Sequence, residues 1–277
     1  MKTIAKVFVK RFFPRRGAWS HKGEFGRLLV VGGSPRYSGS PALVALAAIR
    51  AGADLTLVAA PRRAADIIAR FRPDLITEPL GRDCITPADA GHVIRLAGWA
   101  DSVVIGSGIG RKPSTFNAVR RVVKEISSPC VIDAEAIRAV AGHGGLLKKN
   151  FVLTPHADEF YALAGRRPKN DAKNRADLAG RLAKRLNCTI VLKGHVDVIS
   201  NGRQTALNKT GNPAMTKGGT GDSLAGICGA LLARGITPFD AACAAAWLNG
   251  AAGDAARRKK GEGFLVSEMI DLIPQVL

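Results

Sequence analysis

A glycine-rich stretch followed by an apolar segment organises this sequence. It runs Gly211-Asn212-Pro213-Ala214-Met215-Thr216-Lys217-Gly218-Gly219-Thr220-Gly221-Asp222-Ser223, and the apolar residues 224–233 follow it. Three glycines within four positions allow successive backbone N–H groups to converge, and the amino terminus of the following helix adds partial positive charge. We therefore predict a phosphate site here, although the sequence has no Gly-x-x-x-x-Gly-Lys-Ser/Thr motif.

Asp222 lies at the start of that helix, beside the predicted phosphate. A carboxylate there can accept the proton of an attacking hydroxyl while the helix terminus stabilises charge on the transferring group. Aspartate also caps helices, but a cap leaves the glycines and Asn212-Pro213 unexplained. Because the helix terminus lowers the basicity of the carboxylate, orientation of the hydroxyl is a second role open to Asp222. We predict that Asp222 is the catalytic residue of a phosphoryl transfer.

Upstream of this stretch, short apolar runs alternate with helical patterns. We predict strands at 27–32, 54–60, 101–106, 130–133, 151–154 and 189–193. We predict helices at 41–51, 64–71, 87–97, 113–126 and 172–186. Short apolar strands alternating with helices are typical of a parallel sheet buried on both faces. The sequence shows no linker or internal repeat, so we predict a single α/β domain over residues 1–277.

The pattern changes after Lys193. Residues 197–200 and 204–207 flank Asn201-Gly202, a pair that suits a tight type I′ turn. An antiparallel hairpin is therefore expected at the edge of a mostly parallel sheet. The remainder, from Asp222 onward, is alanine-rich and predicted to be helical, with Pro238 opening a further helix that ends at 257–261.

The charge balance is strongly basic. Lysine and arginine number 41 against 22 acidic residues, a formal net charge of +19. Such an excess attracts phosphates at low salt, but the basic residues are scattered, and 5% aromatic residues leave few platforms for stacking bases. We expect a solvated basic surface and no nucleic-acid partner; a nucleic-acid-binding protein with a vestigial pocket is the less favoured alternative.

Neither the termini nor the cysteines indicate secretion or a membrane. The apolar stretch 224–233 is ten residues long, well short of the ~20 that span a bilayer, and Lys6 and Lys10 interrupt any secretory h-region. The five cysteines are an odd number without a Cys-x-x-Cys pair, which favours free thiols in a reducing cytoplasm. The acid-free stretch before Glu24 leaves an organelle transit peptide as the less favoured alternative.

The Gly-Thr-Gly-Asp at 219–222 resembles the anion-hole motif of ribokinase-like kinases, which are α/β proteins without the usual P-loop. Four further segments narrow the resemblance: His21-Lys22-Gly23-Glu24-Phe25-Gly26 before 28–34, Thr154-Pro155-His156 with Glu159, Val191-Leu192-Lys193-Gly194, and Gly211-Asn212-Pro213. Together, from about His21 to Pro274, they resemble the ADP- or ATP-dependent NAD(P)H-hydrate dehydratases, which repair hydrated nicotinamide cofactors.

The resemblance implies a ribokinase-like three-layer sandwich with a mostly parallel central sheet and an antiparallel edge hairpin. It also implies a reaction in which the ring hydroxyl of the S epimer of hydrated NADH or NADPH is phosphorylated and phosphate is then eliminated. Asp222 would take the hydroxyl proton, while the backbone N–H groups of Gly219, Thr220 and Gly221 hold the transferred phosphoryl.

The same resemblance assigns two binding segments. It implies that Lys193, Gly194, His195, Val196 and Asp197, together with Gly221, contact the nucleotide. It implies that Ser40, Gly108, His156 and Asp222 contact the hydrated cofactor, with His156 as a hydrogen-bond donor. For Lys193 and His156 the alternative is a purely structural role at a strand end.

Mg²⁺ is expected with the nucleotide, held by phosphate oxygens, waters and one or two carboxylates, although its protein ligands are not identified. The residues do not distinguish ADP from ATP, and the resemblance favours ADP. It also implies a homo-oligomer, a tetramer in many relatives, and a separate epimerase, because only about twenty residues precede His21. The alternative function is a small-molecule kinase of the ribokinase-like superfamily, acting on a vitamin precursor or sugar.

Overall fold

The computed structural model describes residues 1–81 and 83–277, and one ten-stranded sheet forms its centre. The strands are β1 (Lys2–Thr3), β2 (Arg27–Val31), β3 (Leu55–Pro61), β4 (Ile76–Leu80), β5 (Ser102–Ile105), β6 (Cys130–Ile132), β7 (Phe151–Leu153), β8 (Thr189–Leu192), β9 (Asp197–Ser200) and β10 (Thr205–Asn208). Their order across the sheet is β1-β10-β9-β8-β7-β6-β5-β2-β3-β4. Among these strands β9 alone is antiparallel to its neighbours, β8 and β10.

Helices cover both faces of the sheet. They are α1 (Lys6–Lys10), α2 (Gly39–Arg50), α3 (Arg62–Ile68), α4 (Pro87–Trp99), α5 (Pro113–Glu125), α6 (Glu135–Val140), α7 (Ala157–Ala164), α8 (Ala172–Leu186), α9 (Thr220–Ala233), α10 (Pro238–Lys260) and α11 (Val266–Asp271). Helices α2, α9, α10 and α11 share one core with the sheet, and α4, α5, α6 and α8 share the other. The result is a three-layer sandwich.

The strands supply both cores because successive side chains point to opposite faces. In β2, Leu28 and Val30 enter the core with α9, while Leu29 and Val31 enter the core with α4 and α5. All four side chains are buried. This is why the strands are short, nearly uninterrupted apolar runs, and it confirms the predicted class of sheet.

All six strands and five helices predicted before Lys193 are present, with ends that differ by a few residues. The prediction missed β1 and β4. Strand β4 carries Glu78 and Pro79, which interrupt an apolar pattern. An edge strand tolerates both, because one row of its backbone groups needs no partner strand. Helices α1, α6 and α7 were also missed, and α11 was not separated from the remainder predicted to be helical; each has eight residues or fewer.

The antiparallel pair β9–β10 is confirmed, but the predicted type I′ turn is wrong. The strands pair from Ser200 to Thr205 and leave a four-residue connection, 201–204. A type I′ turn needs positive φ at both central residues. Gly202 has φ +83°, whereas Asn201 is not among the non-glycine residues with positive φ. Instead, Asn201 Oδ1 accepts the N–H groups of Arg203 and Gln204 at 3.0 and 2.8 Å.

Helix α9 packs beside α2 on one face of the sheet, and its direction determines where a ligand can bind. A Cβ on Gly226 would overlap the backbone of Val44 in α2, so the close contact between the two helices requires glycine at this position. The carboxyl end of α9 meets Gly26, just before β2, where a Cβ would lie 2.6 Å from Ala233 Cβ. Its amino end therefore lies at the opposite edge of the sheet, where the parallel strands end.

All five cysteines are free, and four of them are buried. Burial raises the pKa of the Cys188 and Cys243 thiols to about 12, so neither is a reactive thiolate at neutral pH. Within the described parts of the chain, no helix combines the length and apolar character needed to cross a bilayer.

Candidate active site

A cavity of about 730 Å³ opens where the strands end and α9 begins. It brings together nine of the predicted site residues, namely His156, Lys193, Gly194, His195, Asp197, Gly219, Thr220, Gly221 and Asp222. Three others do not line it: Ser40, Gly108 and Val196. In open α/β sheets ligands bind at the carboxyl ends of the strands, and this cavity occupies that position.

The glycine-rich stretch forms the amino terminus of α9. Gly219 precedes the helix with φ +102°, and a Cβ there would lie 2.8 Å from Leu43 Cδ1. The first N–H groups of a helix have no partner within it, so those that follow Gly219 are available to an anion. The side chain of Thr220 is not: its hydroxyl donates to the carbonyls of Met215 and Lys217, both at 3.0 Å.

Asp222 is half-buried in the first turn of α9. Burial and the negative charge of Asp133 raise the pKa of its carboxyl to about 7, against the opposing effects of the Ser107 and Ser40 hydroxyls and the Lys193 ammonium. Burial therefore outweighs the predicted acidifying effect of the helix terminus. A carboxyl with this pKa can both accept and release a proton near neutral pH.

Lys193 reaches this site from the end of β8. Its Nζ lies 3.2 Å from Asp133 Oδ1 and 3.9 Å from Glu159 Oε2. Burial alone would lower the pKa of Lys193, but Asp133, Glu159 and Asp222 together raise it, so the ammonium stays charged. A Cβ on Gly221 would lie 3.3 Å from Nζ, which puts this cation directly at the amino terminus of α9.

His156 caps α7, and both of its ring nitrogens are engaged. Its Nδ1 accepts the backbone N–H of Asp158 at 3.1 Å, so the ring hydrogen is on Nε2, which lies 3.2 Å from Glu159 Oε1. Glu159 is buried and also accepts the backbone N–H of His156. Its burial would raise its pKa, but His156 and Lys193 lower it. To donate to a ligand, His156 Nε2 has to leave Glu159.

The segment after Lys193 turns back toward β9. Gly194 donates its N–H to Asp197 Oδ1 at 2.9 Å, and Asn208 Nδ2 donates to Asp197 Oδ2 at 3.0 Å. Burial raises the pKa of Asp197, although Asn208, Gly194, Lys193 and Arg175 oppose it. The hydrogen bonds at both carboxylate oxygens fix the turn that closes one side of the cavity. Val196 lies in this turn but does not line the cavity.

Ser40 and Gly108 lie on another side of Asp222, outside the cavity. Gly108 has φ +71°, and a Cβ there would lie 3.3 Å from Ser40 Cβ and 2.8 Å from Tyr37 Cβ. The neighbouring Ser107 is buried, and its hydroxyl has no hydrogen-bond partner, although it is close enough to Asp222 to lower its pKa. Asp222 therefore lines the cavity and is also in reach of the Ser40 and Ser107 hydroxyls, which do not line it.

Two buried residues of the site were missed by the sequence analysis. The sequence predicts Asp133 only as the last residue of a strand, yet its Oδ1 accepts hydrogen bonds from both Lys193 Nζ and Thr154 Oγ1, at 3.2 and 2.5 Å. An acid at the carboxyl end of a buried parallel strand is the signal that could have identified it. Arg175 of α8 donates to the carbonyls of Leu192 and Lys193 at 3.2 and 2.8 Å, and nothing local distinguishes it from the other cations of that helix.

The segment 21–26, which contributed to the resemblance, lies away from the cavity. It precedes β2 at the amino ends of the strands, beside the carboxyl end of α9. Asp54 Oδ2 accepts the backbone N–H groups of Gly23 and Phe25, both at 2.9 Å. These hydrogen bonds hold the segment against the residue before β3, and His21 and Lys22 lie outside the candidate site.

The mostly parallel sheet lies between two helical layers. Where its parallel strands end, a helix begins after Gly219 and carries the Asp222 side chain. This combination defines a ribokinase-like protein. A family model described as NAD(P)H-hydrate dehydratase matches residues 28–275, and the chain belongs to that family. The predicted family and fold class are thus confirmed.

Known relatives agree with this assignment. An ADP-dependent (S)-NAD(P)H-hydrate dehydratase of Cenarchaeum symbiosum is 39% identical over 99% of this chain and 96% of its own. An ADP/ATP-dependent NAD(P)H-hydrate dehydratase of Bacillus subtilis, co-crystallised with ATP/Mg²⁺, has a TM-score of 0.81 at 28% identity, covering 99% of this chain and 97% of its own.

Longer relatives exist as well. A bifunctional NAD(P)H-hydrate repair enzyme of Methanothermobacter thermautotrophicus is 42% identical over 95% of this chain, which spans 52% of that protein. The chain thus spans about half the length of such bifunctional relatives.

Proposed function

We propose that this protein converts hydrated NADH or NADPH, in the S configuration, back to the reduced cofactor by a nucleotide-dependent dehydration. The observation that carries the proposal is Asp222, whose carboxyl has a pKa of about 7 and lies in the first turn of α9 between the anion site and the Ser40 side. The names of relatives matching nearly the whole chain support the same reaction. They also favour it over a kinase that releases a stable phosphorylated product.

In the first step Asp222 accepts the proton of the hydroxyl on carbon 6 of the hydrated ring. The hydroxyl oxygen forms a bond to the terminal phosphorus of the nucleotide, and the bond from that phosphorus to the bridging oxygen breaks. The backbone N–H groups after Gly219 and the Lys193 ammonium stabilise the charge that develops on the transferred group. With ADP as donor the leaving product is AMP.

In the second step the lone pair of the ring nitrogen expels phosphate from carbon 6, and water accepts a proton from carbon 5, whose C–H electron pair forms the ring double bond. Hydroxide is a poor leaving group and phosphate a far better one, which is why phosphorylation precedes elimination. His156 Nε2–H, held near Lys193 by Glu159, is proposed to donate to the hydrated cofactor.

ADP is proposed as the preferred donor, because ADP-dependent relatives match almost the whole chain. Lys193, Gly194, His195, Asp197 and Gly221 are proposed to bind it, since they line one cavity, and Val196 is proposed to bind it as a member of the same turn. Mg²⁺ is proposed to neutralise the charge on the phosphates. We propose nucleotide oxygens, waters and one or two carboxylates as its ligands; among residues 1–81 and 83–277 no three His, Cys, Asp or Glu side chains form a cluster that could hold the ion by themselves.

A homotetramer in the cytoplasm is also proposed. The free thiols suit a reducing compartment. Sedimentation equilibrium of the purified chain tests the assembly: a concentration-independent tetramer mass supports it, and a monomer contradicts it.

The activity is tested with hydrated NADH of the S configuration and ADP or ATP in separate reactions, following NADH absorbance, AMP or ADP, and free phosphate together. We expect all three products in equal amounts and a higher kcat/KM with ADP. Asp222→Asn should reduce kcat by about a thousandfold, because it removes the proton acceptor. Formation of a phosphorylated product without recovery of NADH would refute the dehydratase and favour a kinase.

A further inference from the structure

Helix α10 has a row of small and polar residues that faces the loop of the cavity. Asn249, Gly250, Gly253 and Asp254 are spaced so that they share one face of the helix. A Cβ on Gly250 would overlap Thr210, and a Cβ on Gly253 would overlap the side chain of Met215. The loop 210–218 therefore rests directly on this face, and small residues are required there.

Asp254 holds the start of this loop with both carboxylate oxygens. Its Oδ2 accepts the backbone N–H of Gly211 at 3.0 Å, and its Oδ1 accepts Asn212 Nδ2 at 2.9 Å. Asn212 Oδ1 in turn accepts the N–H of Ala214 at 3.1 Å. Since both ends of the Asn212 side chain are engaged within the protein, Asn212 transmits the position of Asp254 to the next turn of the loop.

The far end of the loop is tied to the anion site. The Thr220 hydroxyl donates to the carbonyls of Met215 and Lys217, and Asn249 Nδ2 donates to the Thr220 carbonyl at 3.2 Å. The loop and the amino terminus of α9 thus form one hydrogen-bonded wall of the cavity, supported by α10 at both ends. Asp254 itself does not line that cavity.

We propose that Asp254 is a positioning residue for the nucleotide: through Gly211 and Asn212 it fixes the cavity wall that leads into the anion site, and it does so without touching the ligand. This inference rests on the proposed function, because it takes the nucleotide to occupy this cavity. The inference also gives the motif residue Asn212 a positioning role, because Asn212 connects Asp254 to the next turn of the loop.

Asp254→Asn isolates the interaction. The amide has the shape of the carboxylate but a single acceptor oxygen, so either Gly211 N–H or Asn212 Nδ2 is left facing a donor. We expect ADP affinity, measured by calorimetry, to fall about tenfold, as for loss of one hydrogen bond to a charged group. The KM for the hydrated cofactor should change less than twofold, which a general loss of folding would not produce.

The exchange variant, which combines Asn212→Asp with Asp254→Asn, provides the decisive rescue. The amide introduced at position 254 can accept from the Gly211 N–H and donate to the carboxylate introduced at position 212. The other oxygen of that carboxylate accepts from Ala214, so all three hydrogen bonds are restored. ADP affinity should return to within about threefold of the wild type. The matched control is Asp177→Asn on the exposed surface of α8, which should bind ADP as the wild type does.

Each outcome decides the matter. Weak binding by Asp254→Asn with recovery in the exchange variant supports the inference. Wild-type affinity in Asp254→Asn, or an exchange variant that binds no better than the single variant or does not fold, overturns the inference alone. A wild-type chain that binds no ADP overturns the proposed function and this inference with it.

Discussion

Lys193 Nζ lies 3.2 Å from Asp133 Oδ1, which joins the residue after β8 to the residue after β6 across the carboxyl edge of the sheet. Asp133 also repels the charged form of Asp222 and so contributes to its raised pKa. The buried carboxylate of Asp133 thus holds Lys193 beside the anion site and keeps Asp222, the proposed base, protonated to higher pH.

Asp133→Asn should move the acid limb of the pH dependence of kcat/KM to lower pH. The limb reports the ionisation of Asp222 in the free enzyme, whose pKa is about 7. Removing the neighbouring negative charge lowers that pKa, because the charged form is no longer repelled. Rates between about pH 5.5 and 9 provide the measurement. Asp158→Asn, an exposed carboxylate of α7, is the control, and an unmoved limb in Asp133→Asn would count against the coupling.

Asp222→Asn should stabilise the fold more at pH 8 than at pH 5. In the native state the Asp222 carboxyl has a pKa of about 7, compared with an ordinary 3.8, mainly because of burial. Between these values the native state holds a proton that the unfolded chain has released, so raising the pH through this window weakens the native state. Asparagine does not titrate. Thermal unfolding at pH 5, 6, 7 and 8 tests this, and a difference in Tm that is constant with pH would contradict it.

Gly221→Ala should weaken nucleotide binding without harming the fold. The new Cβ would lie 3.3 Å from Lys193 Nζ, at the place where we propose that the phosphoryl group binds. Gly221 is helical and has no positive φ, so alanine adds helix propensity of up to about 1 kcal/mol.

We expect Gly221→Ala to raise the Kd for ADP about tenfold while Tm is unchanged or higher. Gly98→Ala in α4 is the matched control, since a Cβ there meets nothing within 4 Å. Calorimetric titration with ADP and thermal unfolding measure both quantities. Unchanged affinity in Gly221→Ala would place the phosphates elsewhere.

The parallel sheet and the glycine-rich helix terminus could be predicted from sequence because their signals are local. A buried strand such as β5 is a continuous apolar run, and the convergence of backbone amides needs glycines next to one another. The strand-end positions of Lys193 and His156 followed from the same runs. Family resemblance then supplied the roles that spacing alone leaves open.

The rest depended on contacts between distant residues. Asp133 and Lys193 are 60 positions apart, and neither sequence neighbourhood indicates the other. Arg175 belongs to an amphipathic helix with several other cations, but its side chain is buried. Its hydrogen bond to the backbone at the end of β8 can be seen only in the folded chain. The raised pKa of Asp222 was also missed, because burial depends on the assembled layers whereas the helix terminus is visible in the sequence.

His156 offers a final test, because its two possible roles can be separated by substitution. As the residue before α7 it accepts the N–H of Asp158 through Nδ1, a cap that asparagine can replace. His156→Asn should therefore keep the Tm of the wild type, whereas His156→Ala should lose about 1 kcal/mol of stability with the cap.

If Nε2 also donates to the hydrated cofactor, both His156 variants lack that donor and should raise its KM about tenfold, with the Kd for ADP unchanged. Glu159, whose Oε1 lies 3.2 Å from Nε2 in this structure, would then lose the hydrogen bond from His156 and accept one from the Lys193 ammonium instead. Steady-state kinetics with the hydrate varied at saturating ADP measure this KM. A wild-type KM in the stable His156→Asn variant would reduce His156 to a helix cap and leave recognition of the ring to the residues beside Ser40 and Gly108.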